Sequence, residues 1–232
     1  MTRLHYFLLK HSLKLQKIKN EIKHLLKDKS ELPNEWIYIK LREISSDIFK
    51  LANINLIVEG IENIPKETCV VYANHQSFLD PLVIIQAHKE FGFILKKELK
   101  QEKLIDNIVE ITDSLYLDRE DTKEGIKTIL EAINKIKNGK DYVIFPEGTR
   151  NNGELLDFKP GAFKLSLKTN TPICPIAIIG TREAEQSNNM DPCTIKMIIL
   201  SPIMPDEYKN MNTVKLANLV KSKIENTIKL NS

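Results

Sequence analysis

Hydrophobic residues recur along the chain with two different periods, and the change of period divides it. Up to residue 53 the apolar side chains follow each other at alternating steps of four and three, the spacing of one face of an α-helix. Pro33 separates two such stripes, so this segment predicts two amphipathic helices joined by a short loop. The stripes are Leu4, Leu8, His11, Leu15, Ile18, Ile22 and Leu25, then Ile37, Leu41, Ile44, Ile48 and Leu51.

From Ile54 onward, short runs rich in β-branched residues alternate with helical patterns, which predicts an α/β fold: a mixed sheet flanked by helices. We therefore divide the chain into an amphipathic helical hairpin, residues 1–53, and an α/β domain, residues 54–232. The predicted strands are 54–58, 68–73, 91–95, 114–117, 142–145, 173–179 and 194–200, and helices are predicted at 82–89, 122–138, 161–169 and 212–230. The clearest helix, 122–138, has Ile126, Ile129, Leu130, Ile133 and Ile136 on one face.

Composition fits this division. Hydrophobic residues make up 42% of the 232 residues and charged residues 28%, as expected of a globular protein and not of a disordered one. The three cysteines, Cys69, Cys174 and Cys193, are far apart and form no C-x-x-C pair. They predict neither a zinc site nor a disulfide framework, and they favour a reducing compartment.

Charge is distributed unevenly although the net charge is only +3. Residues 1–29 contain seven lysines and Arg3 against Glu21 and Asp28, which gives +6 and leaves −3 for the rest. A basic amphipathic helix of this kind suits a membrane surface, whereas amphipathicity alone would favour a helical pair packed on its own domain. No apolar run is long enough to predict a transmembrane helix, and a signal peptide is not expected because the first apolar run is short and lysines follow it.

The chemistry points to residues 74–81, N-H-Q-S-F-L-D-P, which lie between a predicted buried strand and a predicted helix. His75 and Asp80 can converge there as a general base and the carboxylate that orients it. No pattern marks an enzyme-borne nucleophile, so the base would activate a substrate hydroxyl. A structural alternative remains open, because Asp80 before Pro81 suits a helix N-cap and Ser77-x-x-Asp80 fits a capping box.

Three polar clusters follow predicted strands: residues 75–80, 118–119 and 147–150. Because ligands bind at the carboxyl edge of α/β sheets, we expect these clusters to form one site. Arg119 and Arg150 suit a phosphate, and Gly148 and Thr149 would let backbone amides approach an anion. The alternatives are a surface ion pair of Arg119 with Glu120 or Asp121, and a plain turn at 145–150.

These residues resemble motifs of the glycerolipid acyltransferase family, most closely the 1-acylglycerol-3-phosphate (lysophosphatidate) acyltransferases. Residues 74–80 match its N-H-x-x-x-x-D signature and residues 145–150 its F-P-E-G-T-R signature. Residues 158–163 (F-K-P-G-A-F) and 172–176 (P-I-C-P-I) are similar to two further motifs. Residues 116–119 resemble the end of another, but Asp113 and Ser114 stand where the family has a glycine.

The resemblance implies a role for each site residue. His75 would take the proton of the acceptor hydroxyl as it attacks an acyl thioester, with Asp80 orienting the ring. Pro175 would shape the acyl-binding side. No metal or cofactor is implied, since acyl-CoA or acyl carrier protein is a co-substrate. The residues implied to hold the glycerol phosphate are Arg119, Glu147, Gly148, Thr149 and Arg150, assisted by Lys96.

The predicted reaction is transfer of a fatty acyl group to the sn-2 hydroxyl of 1-acylglycerol 3-phosphate, which forms phosphatidate. The alternatives are an acyltransferase for another acceptor, glycerol 3-phosphate or a lyso-aminolipid, and a non-catalytic lipid-binding homologue. The expected partners are a membrane lipid surface, lysophospholipid and acyl thioester, with acyl carrier protein a further candidate and no nucleic acid. Family members of this size often carry an N-terminal two-helix membrane-binding element, so we expect a peripheral or monotopic protein on the cytoplasmic face of the cell membrane.

Overall fold

The computed structural model describes residues 7, 9–87, 89–187 and 190–231. Its strands are β1 (Ile54–Glu59), β2 (Val70–Ala73), β3 (Phe91–Lys96), β4 (Leu115–Leu117), β5 (Asp141–Ile144), β6 (Ile173–Ile179) and β7 (Cys193–Ile199). Its helices are α1 (Ser12–Lys27), α2 (Asn34–Leu51), α3 (Asp80–Ile85), α4 (Lys103–Ile111), α5 (Thr122–Lys137), α6 (Lys164–Thr169), α7 (Thr181–Gln186), α8 (Pro205–Tyr208) and α9 (Thr213–Asn231).

The strands form one seven-stranded mixed sheet in the order β1-β7-β6-β2-β5-β3-β4. Five neighbouring strands, from β6 to β4, run in parallel, whereas β7 runs antiparallel to β6 and pairs in parallel with the edge strand β1. All residues of β2 and β5 are buried, which explains their continuous apolar sequences. The predicted mixed sheet flanked by helices is confirmed.

Helices cover both faces of the sheet. On one face, α2 and α3 contribute Ile37, Leu41 and Ile84 to a core that also contains alternate residues of the central strands. On the other face, α5 and α9 contribute Ile136 and Val220 to a second core. This layering leaves the carboxyl ends of the parallel strands as an edge where side chains can meet a ligand.

The predicted N-terminal hairpin is present, and its apolar stripes face the α/β domain. Ile22 and Leu25 of α1 are buried, and Leu15 and Ile18 pack against the same core. Leu4 and Leu8 lie outside the described residues. Because this core also includes residues of the sheet, the division of the chain into two domains at residue 53 stays a prediction.

Two helices differ from their prediction. The helix after residue 81 ends at Ile85, four residues early. On α5, Ile126 and Leu130 are exposed, because the face that contacts the sheet is centred on Ala132 and Ile136. In the described part of the chain, no helix is both long and apolar enough to cross a membrane.

Candidate active site

The turn between β2 and α3 brings His75 and Asp80 together. His75 Nδ1 lies 2.7 Å from Asp80 Oδ2, which also accepts the backbone N–H groups of Gln76 at 2.7 Å and Ser77 at 2.8 Å. Asp80 is fully buried, while 20% of the His75 side chain is exposed. With Asp80 ionised, Nδ1 carries the proton and donates it to Oδ2, so Nε2 is left as the proton acceptor.

The structural and the catalytic interpretations of Asp80 describe the same carboxylate. Its bond to the Ser77 N–H is the backbone half of the predicted capping box, and it closes the turn that carries His75. The same oxygen reaches the imidazole. The fold of this turn therefore fixes the geometry of the pair.

The His75 imidazole and main chain are held by further contacts from the segment after β5. The ring of Phe145 stacks on the imidazole with 4.3 Å between centroids. The backbone N–H of His75 donates to Glu147 Oε1 at 2.7 Å, and its carbonyl accepts the Asn151 N–H at 2.8 Å. The turns after β2 and β5 thus form one unit.

Glu147 faces inward and not toward the open edge. Its second oxygen accepts the Asn151 side-chain amide and the Leu156 backbone N–H, both at 2.8 Å. Burial raises the pKa of Glu147, and the three N–H donors oppose that rise by favouring the carboxylate. Contact of Glu147 with the glycerol phosphate stays a prediction; the structure shows a buried carboxylate that holds the His75 main chain.

Asn74 ties the catalytic turn to β6. Its side-chain amide donates to the Ile178 carbonyl and accepts the Ile178 N–H, each at 2.8 Å. This reciprocal pair continues the β2–β6 pairing with a side chain after the main chain of β2 has turned away. The position of His75 is therefore fixed relative to the centre of the sheet.

Arg119 meets the 145–150 turn from β4. A guanidinium N–H of Arg119 donates to the Gly148 carbonyl. Gly148 has a φ of 75°, which favours glycine, and Thr149 beside it is exposed. Within the described residues, Arg119 forms no ion pair with Glu120 or Asp121, so the interpretation of Arg119 as half of a surface ion pair is wrong.

Asp118 has its own cation. Lys97 Nζ lies 2.8 Å from Asp118 Oδ2, and the other oxygen accepts the N–H groups of Glu120 and Asp121 at 3.0 Å. The hydrogen bond from Lys97, with those backbone donors, lowers the pKa of Asp118 to about 2. The carboxylate nearest to Arg119 in sequence is thus engaged elsewhere.

Arg150 lies on the other side of the turn, next to Glu185 of α7. Arg150 Nη1 is 3.6 Å from Glu185 Oε1, and the second Glu185 oxygen accepts the Ser77 hydroxyl at 2.5 Å and the Phe78 N–H at 3.3 Å. Glu185 therefore joins the motif that carries the base to the motif that carries the arginine.

Residues 55–179, more than half of the chain, match the family model described as Acyltransferase. The chain belongs to the acyltransferase family. The matched segment contains the His75–Asp80 pair and the 145–150 turn, so the resemblance seen in the motifs is confirmed.

Individual acyltransferases match over longer stretches. The chain is 28% identical over 211 residues to the probable 1-acyl-sn-glycerol-3-phosphate acyltransferase of Mycoplasma pneumoniae, covering 84% of this chain and 79% of that one. It is 31% identical over 171 residues to the enzyme of that name from Helicobacter pylori, covering 71% of each. The crystal structure of the 1-acyl-sn-glycerophosphate (LPA) acyltransferase PlsC from Thermotoga maritima superposes with a TM-score of 0.77 over 98% of this chain and 94% of that one, at 23% identity, and shows the shared fold.

The remaining predicted site residues of this acyltransferase lie at different depths. Lys96, half-buried, is the last residue of β3 and pairs in register with Leu117, which brings it to the same edge as Arg119. Pro175 is buried within β6 opposite Tyr72, inside the sheet and not at its edge. A contact of Pro175 with the acyl chain stays a prediction. Among the described residues, no three His, Cys, Asp or Glu side chains are grouped so that they could hold a metal ion.

Sequence reasoning missed three residues of this acyltransferase site. Asn74 and Asn151 flank the two signatures, and their polar side chains next to buried strands were the available signal. Glu185 had none, because it lies on a short helix 108 residues after Ser77 and only the fold brings it there.

Proposed function

We propose that the protein transfers a fatty acyl group from acyl-CoA or acyl carrier protein to the sn-2 hydroxyl of 1-acylglycerol 3-phosphate, which yields phosphatidate. The observation that carries the proposal is the His75–Asp80 pair, with Nδ1 bound to the carboxylate and Nε2 left to accept a proton at the sheet edge. The relatives named 1-acyl-sn-glycerol-3-phosphate acyltransferase support the choice of acceptor.

In the proposed reaction, His75 Nε2 takes the proton of the acceptor hydroxyl while the hydroxyl oxygen attacks the thioester carbonyl carbon. The carbon–sulfur bond breaks as the ester forms, and the imidazolium returns its proton to the departing thiolate. Asp80 stabilises the imidazolium that exists between these two steps and keeps the ring in the required tautomer. No covalent acyl-enzyme intermediate is needed.

The acceptor's phosphate would lie at the 145–150 turn. Arg119 and Arg150 approach this turn from its two sides, and Lys96 reaches the same edge. Guanidinium groups bind phosphate oxygens bidentately, and Thr149 offers a hydroxyl and a backbone N–H in an exposed position. An anchored phosphate would place the acceptor hydroxyl near His75.

We also propose that the enzyme works at the cytoplasmic face of the cell membrane as a peripheral or monotopic protein. The first helix carries exposed lysines, Lys14 and Lys17 among them, and two of its leucines, Leu9 and Leu13, face outward. Such a surface suits an anionic bilayer, in which the lysophospholipid acceptor resides.

The test is an assay of the purified full-length protein with a panel of acceptors and labelled donors. The acceptors are 1-acylglycerol 3-phosphate, glycerol 3-phosphate and a lysophosphatidylethanolamine, each offered with acyl-CoA and with acyl carrier protein, and His75→Ala serves as the blank. We expect phosphatidate from the first acceptor with at least one donor. Turnover of another acceptor instead would correct the substrate, and no turnover of any would leave a lipid-binding homologue.

A further inference from the structure

Two cationic side chains converge on Gly148 from different parts of the chain. A Cβ placed on Gly148 would lie 3.0 Å from Arg119 Nη1 and 3.0 Å from Lys159 Nζ. The two nitrogens are therefore close neighbours, on either side of a point that only glycine leaves open. Lys159 belongs to the 158–163 motif, for which the reaction described above has no use.

The main chain of Lys159 is tied to the same turn. Its N–H donates to the Pro146 carbonyl at 2.9 Å, and its own carbonyl accepts the Ala162 N–H at 3.0 Å. Phe158 next to it is buried and stacks on Phe163, which anchors the segment in the core. The Lys159 side chain is thus delivered to Gly148 by a fixed backbone.

The carboxylates around this pair are already engaged. Asp118 is bound to Lys97, Glu147 to the His75 main chain, and Glu185 to Arg150 and Ser77. Within the described residues, no carboxylate lies within ion-pair distance of Arg119 or Lys159. Two neighbouring like charges without a counter-ion disfavour each other, and an anion between them would relieve that repulsion.

We propose that Lys159 and Arg119 together form the seat for the acceptor's phosphate monoester, with Gly148 as its floor. The proposal rests on the proposed function and adds to it the residue that completes the site. It also assigns different roles to the two arginines. Arg119 has no acidic partner and binds the phosphate with Lys159, whereas Arg150 is shared with Glu185 and closes the side nearest His75.

The test compares Lys159→Ala and Lys159→Arg with Lys168→Ala, the loss of another exposed lysine on the neighbouring helix α6. We expect Lys159→Ala to raise the KM for 1-acylglycerol 3-phosphate about tenfold, the effect of losing one charge-assisted hydrogen bond, with little change in the KM for acyl-CoA. Lys159→Arg should recover most of the loss, and Lys168→Ala should behave as wild type.

A binding measurement without turnover separates this proposal from the proposed function. Glycerol 3-phosphate, the acceptor's head group, should raise the thermal midpoint of the wild-type protein and of Lys168→Ala, and should raise that of Lys159→Ala less. If wild type binds the head group in this way but does not acylate the lysolipid, the seat stands and the proposed function fails. If wild type acylates the lysolipid and Lys159→Ala has the same acceptor KM as Lys168→Ala, the seat is wrong. A rise confined to the donor KM would overturn it too, and would assign the cations to the phosphates of the donor.

Discussion

His75 is constrained in a way that single-residue changes can separate. Its ring is oriented by Asp80 and Phe145, while its backbone N–H and carbonyl are bound by Glu147 and Asn151. Only the ring contacts depend on the identity of residue 75. Replacing the ring therefore removes the base while the main-chain bonds that shape the turn remain.

We expect His75→Ala to lower kcat by about 10² to 10⁴-fold, the usual contribution of general-base assistance, with little change in thermal midpoint. Asp80→Asn should be nearly as damaging, because an amide supports neither the tautomer nor the imidazolium. Steady-state rates and circular dichroism of both variants test this. A folded His75→Ala protein with near wild-type turnover would rule out the mechanism.

Arg150→Lys keeps the charge but loses the planar fork, so it should raise the acceptor's KM more than the donor's. Glu185→Gln should act in the same direction, because it releases Arg150 without touching the substrate. Arg42→Lys, a change in α2 outside the motifs, is the matched control. Equal effects of Arg150→Lys on both KM values would place this arginine elsewhere in the reaction.

Asp118 provides a pH-dependent test of the site's charge pairing. Lys97 and backbone donors lower its pKa to about 2 from the usual 3.8, so ionised Asp118 favours the folded state above pH 3.8. That contribution is lost as the pH falls from 3.8 toward about 2. We expect the difference in unfolding free energy between wild type and Asp118→Asn to shrink on acidification below pH 3.8. Lys97→Met should abolish most of the difference, and a pH-independent gap would contradict the pairing.

At the scale of elements, the site depends on how the ends of β2 and β6 are held together. Asn74 is the buried clamp between them, and both of its amide groups are used by Ile178. Removing the amide leaves a buried N–H and a buried carbonyl without partners. Such a loss affects both the stability of the sheet and the placement of His75, one residue further on.

We expect Asn74→Ala to lower the free energy of unfolding by about 2 to 4 kcal/mol, the cost of two unsatisfied buried groups, and to lower kcat as well. Asn134→Ala, an exposed change within α5, should stay within about 0.5 kcal/mol of wild type. Chemical denaturation of the two variants measures the difference. If they have equal stability, the clamp contributes nothing.

The elements also show how far the sequence could be interpreted. Buried strands were predictable because short β-branched runs such as 70–73 stand out locally, and the edge they share brought the three polar clusters together. The insertion of antiparallel β7 between β1 and β6 had no local signal, since strand order is decided by contacts between distant segments. The same holds for Glu185 and Lys159, whose roles depend on which turn they reach. On α5, the period of the stripe was visible, but its direction depends on what the helix packs against.

At the scale of the whole molecule, the N-terminal hairpin has to be divided by face. The stripe from Leu15 to Leu25 packs on the α/β domain, so it is not available to a membrane. On α1 and just before it, Leu9 is 71% exposed and Leu13 87% exposed, and Lys14 and Lys17 are exposed with them. Because α2 places Ile37 and Leu41 in the core, deleting residues 1–53 would damage the fold and could not isolate docking.

Point changes on the outer face of α1 test the docking proposal without that confusion. We expect the full-length protein to sediment with anionic vesicles, less so as salt rises, because each lysine near an anionic surface contributes about 1 kcal/mol that salt screens. Replacing Lys14 and Lys17 by Gln should remove much of the salt-dependent part. The double change Leu9→Ser and Leu13→Ser should reduce the salt-resistant remainder, whereas Leu230→Ser, at a leucine 84% exposed at the far end of the chain, should not. Binding that ignores lipid charge would make the lysines a merely solvated surface, and binding unchanged by the leucine pair would move the contact to another part of the molecule.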